Sequence, residues 1–213
     1  MFSVIIPTMW RSEKILSSVS DFLKCDLISE IIIINNNVGH ELEIDFDSSK
    51  IKLLNQKENI YVNPSWNLGV ETSINEHLLF VNDDVYIEDS CTLIKMFLDY
   101  DFDLIGFDKN NSNVNTVFEI KDHSGGSPRF PQYNTWFYMK KNKYVFIPDN
   151  ILIWCGDGIQ YTVNENRGVF TVPKVDFEMS KTLKTIPSLS WILYQNDRPN
   201  YIKYCNENNL IPR

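Results

Sequence analysis

Cations, histidines and glycines are scarce in this chain, and each shortage removes a class of function. Twenty Lys and Arg stand against 28 Asp and Glu, for a formal net charge of -8. That balance argues against a broad electrostatic grip on a nucleic-acid backbone or an anionic membrane, so any anionic ligand must be held locally. The three histidines, His40, His77 and His123, do not cluster at any metal-like spacing. The four cysteines, Cys25, Cys91, Cys155 and Cys205, contain no CxxC pair of the kind zinc sites use. Reduced thiols in a cytosol-like compartment are the expectation for them. No stretch approaches the roughly 20 apolar residues that span a bilayer, and the N-terminus lacks a basic segment followed by an apolar signal core. A cytoplasmic protein without a transmembrane segment is therefore expected. The loop "PTMWRSEK" after the first apolar run has no glycine, so it lacks the Gly-rich phosphate cradle that a triphosphate-binding enzyme usually places there.

What is present is enough for one substantial core. The 213 residues, 43% of them hydrophobic, fit a single domain with no repeat or low-complexity linker. "FSVIIPT" reads as a central strand that stops near Pro7. "SEKILSSVSDFLKC" sets Ile15, Leu16, Val19, Phe22 and Leu23 at helical spacing behind Ser12 as a plausible N-cap. "SEIIIINNN" joins four isoleucines to three asparagines, the pattern of a strand covered on both faces. A strand "KIKLLNQ", a helix from near Pro64 through Ile74 and a strand "HLLFVNDD" follow. Strand alternating with helix predicts an α/β sandwich with a mostly parallel sheet, in which ligands collect beyond the carboxyl ends of the strands. Pro7 and Thr8, Asn35 to Asn37, and Asn82 to Asp84 would share that edge. Further on, a helix spans about Asp89 to Leu98, another starts at Asp157, and the tail "SLSWILYQNDRPNYIKYCNENN" is helical and amphipathic.

The run "HLLFVNDDVYIED" poses the chemical question, because a buried strand ends in two adjacent carboxylates. Like charges that close repel, and an ionised group is costly to bury without a partner. Asp83 and Asp84 either cap a helix or turn, or hold a hard cation such as Mg²⁺ or Mn²⁺, which takes one or two carboxylates and fills its shell with water and phosphate oxygens.

"SVIIPT", "EIIIINNN", "ENIYVNPSWNLGV" and "LLFVNDDV", in this order and spacing, together resemble the family 2 glycosyltransferases of the GT-A fold over most of the chain. A narrower likeness, to chlorovirus glycosyltransferase domains, would imply a viral module of a longer polypeptide in host-cell cytoplasm. The family resemblance implies a Rossmann-like sandwich with a nucleotide-sugar half, 1–88, and an acceptor-binding and catalytic half, 89–213. It implies Asp84 as the principal ligand of Mn²⁺ or Mg²⁺, with Asp83 and Asn82 against the donor; Asn82 departs from the family's Asp. Pro7, Thr8, Asn36 and Asn37 are implied contacts of a UDP-linked sugar, since amides offer both donors and acceptors, although Asp is commoner where Asn36 sits. Arg11 is a diphosphate contact by charge, and Asn67 with Gly69 match the helix flanking the donor. Trp66 reads as core.

In "ILIWCGDGIQYT", Asp157 takes the place of the family's base for the acceptor hydroxyl, with Gly156 where Glu is common and Trp154 positioned to stack on a sugar ring. Asp157 also reads as a plain N-cap. The family's late metal-binding His is missing from "VPKVDFEMS", which leaves Glu178 as its candidate replacement. His123, beside "SGGSPR", is a candidate for an acceptor loop. An inverting transfer from nucleotide sugar to a glycan hydroxyl is thus the leading expectation. A nucleotidyltransferase and a sugar- or nucleotide-binding module without turnover are the alternatives.

Overall fold

The computed structural model of the protein describes residues 1–39, 49–108, 118–124, 136–172, 175–177 and 187–212. The chain runs β1 (Phe2–Thr8), α1 (Lys14–Leu23), β2 (Ile28–Asn35), β3 (Ile51–Asn55), α2 (Val62–Thr72), β4 (His77–Val81), β5 (Val85–Ile87) and α3 (Ser90–Phe97). It continues through β6 (Leu104–Phe107), β7 (Glu119–Asp122), β8 (Trp136–Lys140), α4 (Gly156–Val163), β9 (Arg167–Thr171), β10 (Val175–Phe177) and α5 (Pro187–Glu207). Eight strands form one sheet in the order β3-β2-β1-β4-β8-β6-β9-β7. All its neighbours run parallel except where β8 lies between β4 and β6 and where β7 edges β9. This is the mostly parallel α/β sandwich that the apolar runs predict.

Alternation along each strand divides the core into two layers. Phe2, Val4 and Ile6 of β1, with Ile31 and Ile33 of β2, meet Ile15, Val19 and Phe22 of α1 and Leu93, Ile94 and Phe97 of α3. Ile5, Ile32, Ile34 and Phe80 point the other way, onto Trp66 and Val70 of α2, Ile159 of α4 and Tyr201 and Cys205 of α5. Both sheet faces are covered, which explains the unbroken isoleucines of β2. Trp66 is core as expected, 2% exposed and edge-on to Phe80 and Phe137.

Two helix starts differ from the expected ones. α2 begins at Val62, after Tyr61 in a left-handed conformation with φ of 66°, and it ends before Ile74, which is exposed. α1 begins at Lys14, whose N–H donates to Ser12 Oγ at 3.2 Å, so Ser12 serves the first turn from one residue outside the cap position. The thiols need a larger correction. Cys25, just past α1, and Cys91, in the first turn of α3, form a disulfide with Cα atoms 5.4 Å apart. Sixty-six residues separate them in sequence, but the two helices share one sheet face. Cys155 and Cys205 are free thiols. Asp21 of α1 adds a polar tie by accepting from the Ser90 N–H at 3.1 Å and hydroxyl at 2.6 Å, which satisfies the N-terminus of α3.

Candidate active site

Because β1, β2, β3 and β4 are parallel, their carboxyl ends share one edge, and the first group of expected residues meets there. The Thr8 hydroxyl donates to Asp83 Oδ2 at 2.6 Å and accepts from the Trp10 N–H at 2.7 Å. The Thr8 carbonyl accepts from the Asn36 N–H at 2.8 Å, locking the ends of β1 and β2 together. Pro7 lies within β1, opposite Ile34, and is buried. Asn82, Asp83 and Asp84 fill the gap between β4 and β5, each half-buried. Arg11 is exposed on the connection from β1 to α1.

The asparagines act on the chain itself. Asn36 is 3% exposed; its amide donates to Ser65 Oγ at 2.9 Å and its carbonyl accepts from the Ile60 N–H at 3.2 Å. Asn35 bonds Asn55 across β2 and β3 and accepts from the Asn37 N–H at 2.9 Å. Asn67 holds the segment before α4, donating to the Ile147 carbonyl at 2.8 Å and accepting from the Ile147 N–H and the Tyr144 hydroxyl. The side chains of Asn36 and Asn67 are therefore engaged in shaping the edge. Gly69 has a packing reason, since a Cβ there would lie 2.4 Å from Ile5 Cγ2.

The second group gathers at the start of α4, and α2 links it to the first. Asn63, fully buried in the first turn of α2, donates its main-chain N–H to the Leu152 carbonyl at 2.9 Å and its side-chain amide to the carbonyls of Ile151 and Trp154. Its carbonyl oxygen occupies the space where a Cβ on Gly156 would sit, only 2.1 Å away. That packing leaves no room for a side chain of glutamate size at position 156. Cys155 turns the chain into α4 through a left-handed conformation, φ 67°. The helix is then fixed along its length, because Gln160 pairs with both main-chain groups of Val145 and Arg167 donates to the carbonyls of Tyr161 and Asn164.

Asp157 thus stands in the first turn of a rigid helix. Burial pushes its carboxyl up to about 6, against the opposing effect of a bond from the Gly158 N–H. A carboxylate tuned to that range suits proton transfer near neutral pH. Burial and the Asp157 charge push the neighbouring Cys155 thiol up to about 11, so it stays protonated and is no nucleophile.

Sequence reasoning missed Asp197 of α5. It is fully buried; Oδ1 accepts from the Leu152 N–H at 2.9 Å, and Oδ2 accepts from the Ile153 and Trp154 N–H groups at 2.8 Å each. The one available signal was its place among Leu193, Tyr201 and Cys205, all buried at four-residue spacing. Two other expectations fall away from the site or outside it. His123 follows β7, whose Asp122 pairs with Gly168 near the start of β9, so it lies at the sheet edge opposite the strand-end site, while the "SGGSPR" segment beyond Ser124 lies outside the described residues. His77, at the start of β4, is at that same far edge, stacked on Phe2 and bonded to Tyr138. Glu178 and His40 lie outside the described residues. β10 does end at Phe177, paired with Val85, the residue after Asp84.

Among the described residues no three His, Cys, Asp or Glu side chains converge as a ready-made metal cage. The adjacent carboxylates of Asp83 and Asp84 nevertheless fit a hard divalent cation, which needs one or two protein oxygens when a diphosphate supplies others. Among the described residues no helix is long and apolar enough to cross a membrane.

Neither the known protein families nor the curated proteins contain a match to this sequence. Solved structures do resemble the fold. Staphylococcus aureus TarS 1-349 aligns with a TM-score of 0.56 at 15% identity, over 80% of this chain and 60% of that one. The same protein in complex with UDP gives 0.57 at 14% identity over 80% and 60%, and in complex with UDP-GlcNAc 0.57 at 13% over 86% and 60%. The chain therefore spans about 60% of those relatives' length, and the likeness extends to the fold. These neighbours are bacterial and lend nothing to the narrower viral likeness.

Proposed function

We propose that the protein is an inverting glycosyltransferase that moves a sugar from a nucleotide donor, UDP-linked, to a glycan hydroxyl. The observation that carries this reading is the linkage, through α2, of the Asp83–Asp84 strand end to a half-buried carboxyl at the start of α4. The likeness to the TarS fold, solved in complex with UDP and with UDP-GlcNAc, supports the choice of donor.

In this reading the nucleoside lies against the main chain at Thr8 and at Asn36 and Asn37. Asn82 and Asp83 meet the donor, and Arg11 meets its diphosphate. Asp84 holds Mn²⁺ or Mg²⁺; Glu178, covalently next to the Phe177 that pairs beside Asp84, is the proposed second ligand. When bound, the cation neutralises charge gathering on the diphosphate. Asp157 takes the proton of the acceptor hydroxyl. The acceptor oxygen bonds the anomeric carbon as the bond from that carbon to the phosphate oxygen breaks, and the nucleoside diphosphate leaves with the electron pair.

The test is a panel of nucleotide sugars with and without Mn²⁺, read by thermal shift and by release of nucleoside diphosphate. Metal-dependent stabilisation by a UDP-sugar, lost in Asp84→Ala with the fold intact, is expected. Release of pyrophosphate would select the nucleotidyltransferase instead. Donor binding without transfer to any glycan would select a non-catalytic binding module.

A further inference from the structure

Alongside the candidate base, α5 presents aromatic rings to solvent. Trp191 is 61% exposed and Tyr194 36% exposed. Their rings stack, with centroids 5.8 Å apart and planes at 24°, while Trp154 meets Tyr194 edge-on at 6.1 Å and 84°. A floor of two stacked rings with a third standing upright beside it makes a corner. We infer that Trp154, Tyr194 and Trp191 form the acceptor subsite, which receives a pyranose ring by its apolar C–H face and presents a rim hydroxyl to Asp157.

Three observations lead there, and the inference rests on the transferase reading above for the role of Asp157. The first is continuity. Trp154 precedes Asp157 by three residues, so the inner wall of the corner lies within about 10 Å of the base along the chain.

The second is rigidity. The Trp154 N–H is bonded to the fully buried carboxylate of Asp197 and its carbonyl to Asn63, so the wall is fixed from both α5 and α2. Burying a carboxylate is costly unless main-chain donors replace water. Here three successive amides do so, in the turn that aims Trp154. Pro199, inside α5, has no N–H to donate to the Gln195 carbonyl one turn earlier. Asn196 and Asn200 bond the Asn150 carbonyl from the same turns.

The third is chemistry. A sugar ring offers a patch of C–H bonds edged by hydroxyls. Tyr and Trp match it with an apolar face and a polar tip, and bury large area with few rotatable bonds. A chain with a net charge of -8 gives such a patch no attraction to an anionic lipid surface.

The test measures the two halves of the site separately in the whole chain. Saturation-transfer NMR is run with methyl glucoside, methyl N-acetylglucosaminide and β- and α-linked tetrasaccharides of glucose and N-acetylglucosamine, and UDP binding with Mn²⁺ is measured by calorimetry. At least one sugar is expected to receive saturation at its axial ring protons from the aromatic side chains. Trp191→Ala and Tyr194→Ala should each weaken that sugar about tenfold, with Trp191→Phe intermediate and UDP affinity unchanged. Because both rings are at the surface, melting temperatures should move little, which separates lost recognition from lost folding.

No saturation of any sugar in the wild type, or equal sugar binding by wild type and both alanine variants, overturns the subsite. So does a concentration-dependent dimer, or adhesion to phosphatidylcholine–phosphatidylglycerol vesicles, that Trp191→Ala abolishes while sugar binding stays the same. A wild type that binds sugars through these rings but never UDP would leave the subsite standing and remove the transferase reading.

Discussion

Asp157 sets function against stability at a single residue. Its folded carboxyl, raised to about 6 from the ordinary 3.8, holds its proton more tightly than the unfolded chain does. Stability therefore falls as pH rises from about 4 to about 6, and above that range the full cost of ionising a half-buried carboxylate remains. Asp157→Asn keeps the size and the acceptor for the Gly158 N–H but never ionises. It is expected to be more stable than the parent at pH 8 by about 1–3 kcal/mol, with the difference vanishing near pH 4. Transfer should be lost in the same variant, and in the parent it should rise with pH through about 6 as the base ionises. Urea melts at pH 4 and 8 together with a pH-rate profile check all three; a variant less stable at pH 8 would show that burial of the charge is not the controlling effect. Asp197 makes the opposite case. Its charge is matched by main-chain donors, and Asp197→Asn turns an NH₂ toward the amides of Ile153 and Trp154. A loss of about 2–4 kcal/mol is expected from two buried donors left facing a donor, read as a lower urea midpoint at unchanged slope.

At the scale of elements, α2 is the member that joins the strand-end edge to α4, and its closeness to the sheet is set by Gly69. A methyl group there would press on Ile5 of β1, so Gly69→Ala is expected to destabilise by about 1–3 kcal/mol despite its better helix propensity. Ile5→Ala in the same chain should recover part of that loss, and a strictly additive double variant in denaturant melts would rule out the contact. The contrast between elements also explains what could be read in advance. β1, β2 and β4 are continuous apolar runs because both sheet faces are covered, so local composition was enough to place them and hence the edge holding Thr8, Asn36 and Asp83. Helix starts were harder. α2 enters through a left-handed Tyr61 with no side-chain cap, and α3 is capped by Asp21 from 69 residues away. Neither leaves a local trace. Likewise Asp197, in a tail read as an amphipathic helix, gives no sign of burial until the 152–154 turn is brought against it, and the asparagines that looked ready for a ligand are engaged by Ser65, Ile60 and Ile147. Composition and periodicity report what a residue prefers; they do not report which distant main-chain group will need it.

For the whole molecule, the Cys25–Cys91 bridge matters most, because it closes a loop that contains β2, β3, α2, β4 and the Asp83–Asp84 strand end. Scattered positions in sequence suggested reduced thiols, but α1 and α3 pack on the same sheet face, which brings two remote cysteines within bonding distance. With that bridge, the thiol argument for a cytosol-like compartment no longer holds. In the chain-entropy view, closing 66 residues removes about 4 kcal/mol worth of freedom from the unfolded state, while the folded site should be almost indifferent, since α1 and α3 are also tied through Asp21 and Ser90. Reduction is therefore expected to lower the melting temperature by about 10 °C without changing UDP affinity at 25 °C. The Cys25→Ser, Cys91→Ser double variant should melt at the reduced temperature and ignore further reductant. The unreduced, denatured parent should titrate only Cys155 and Cys205. Four reactive thiols in that titration would remove the bridge; a loss of UDP binding on reduction would show instead that the loop it closes depends on the covalent link to keep the strand ends in register.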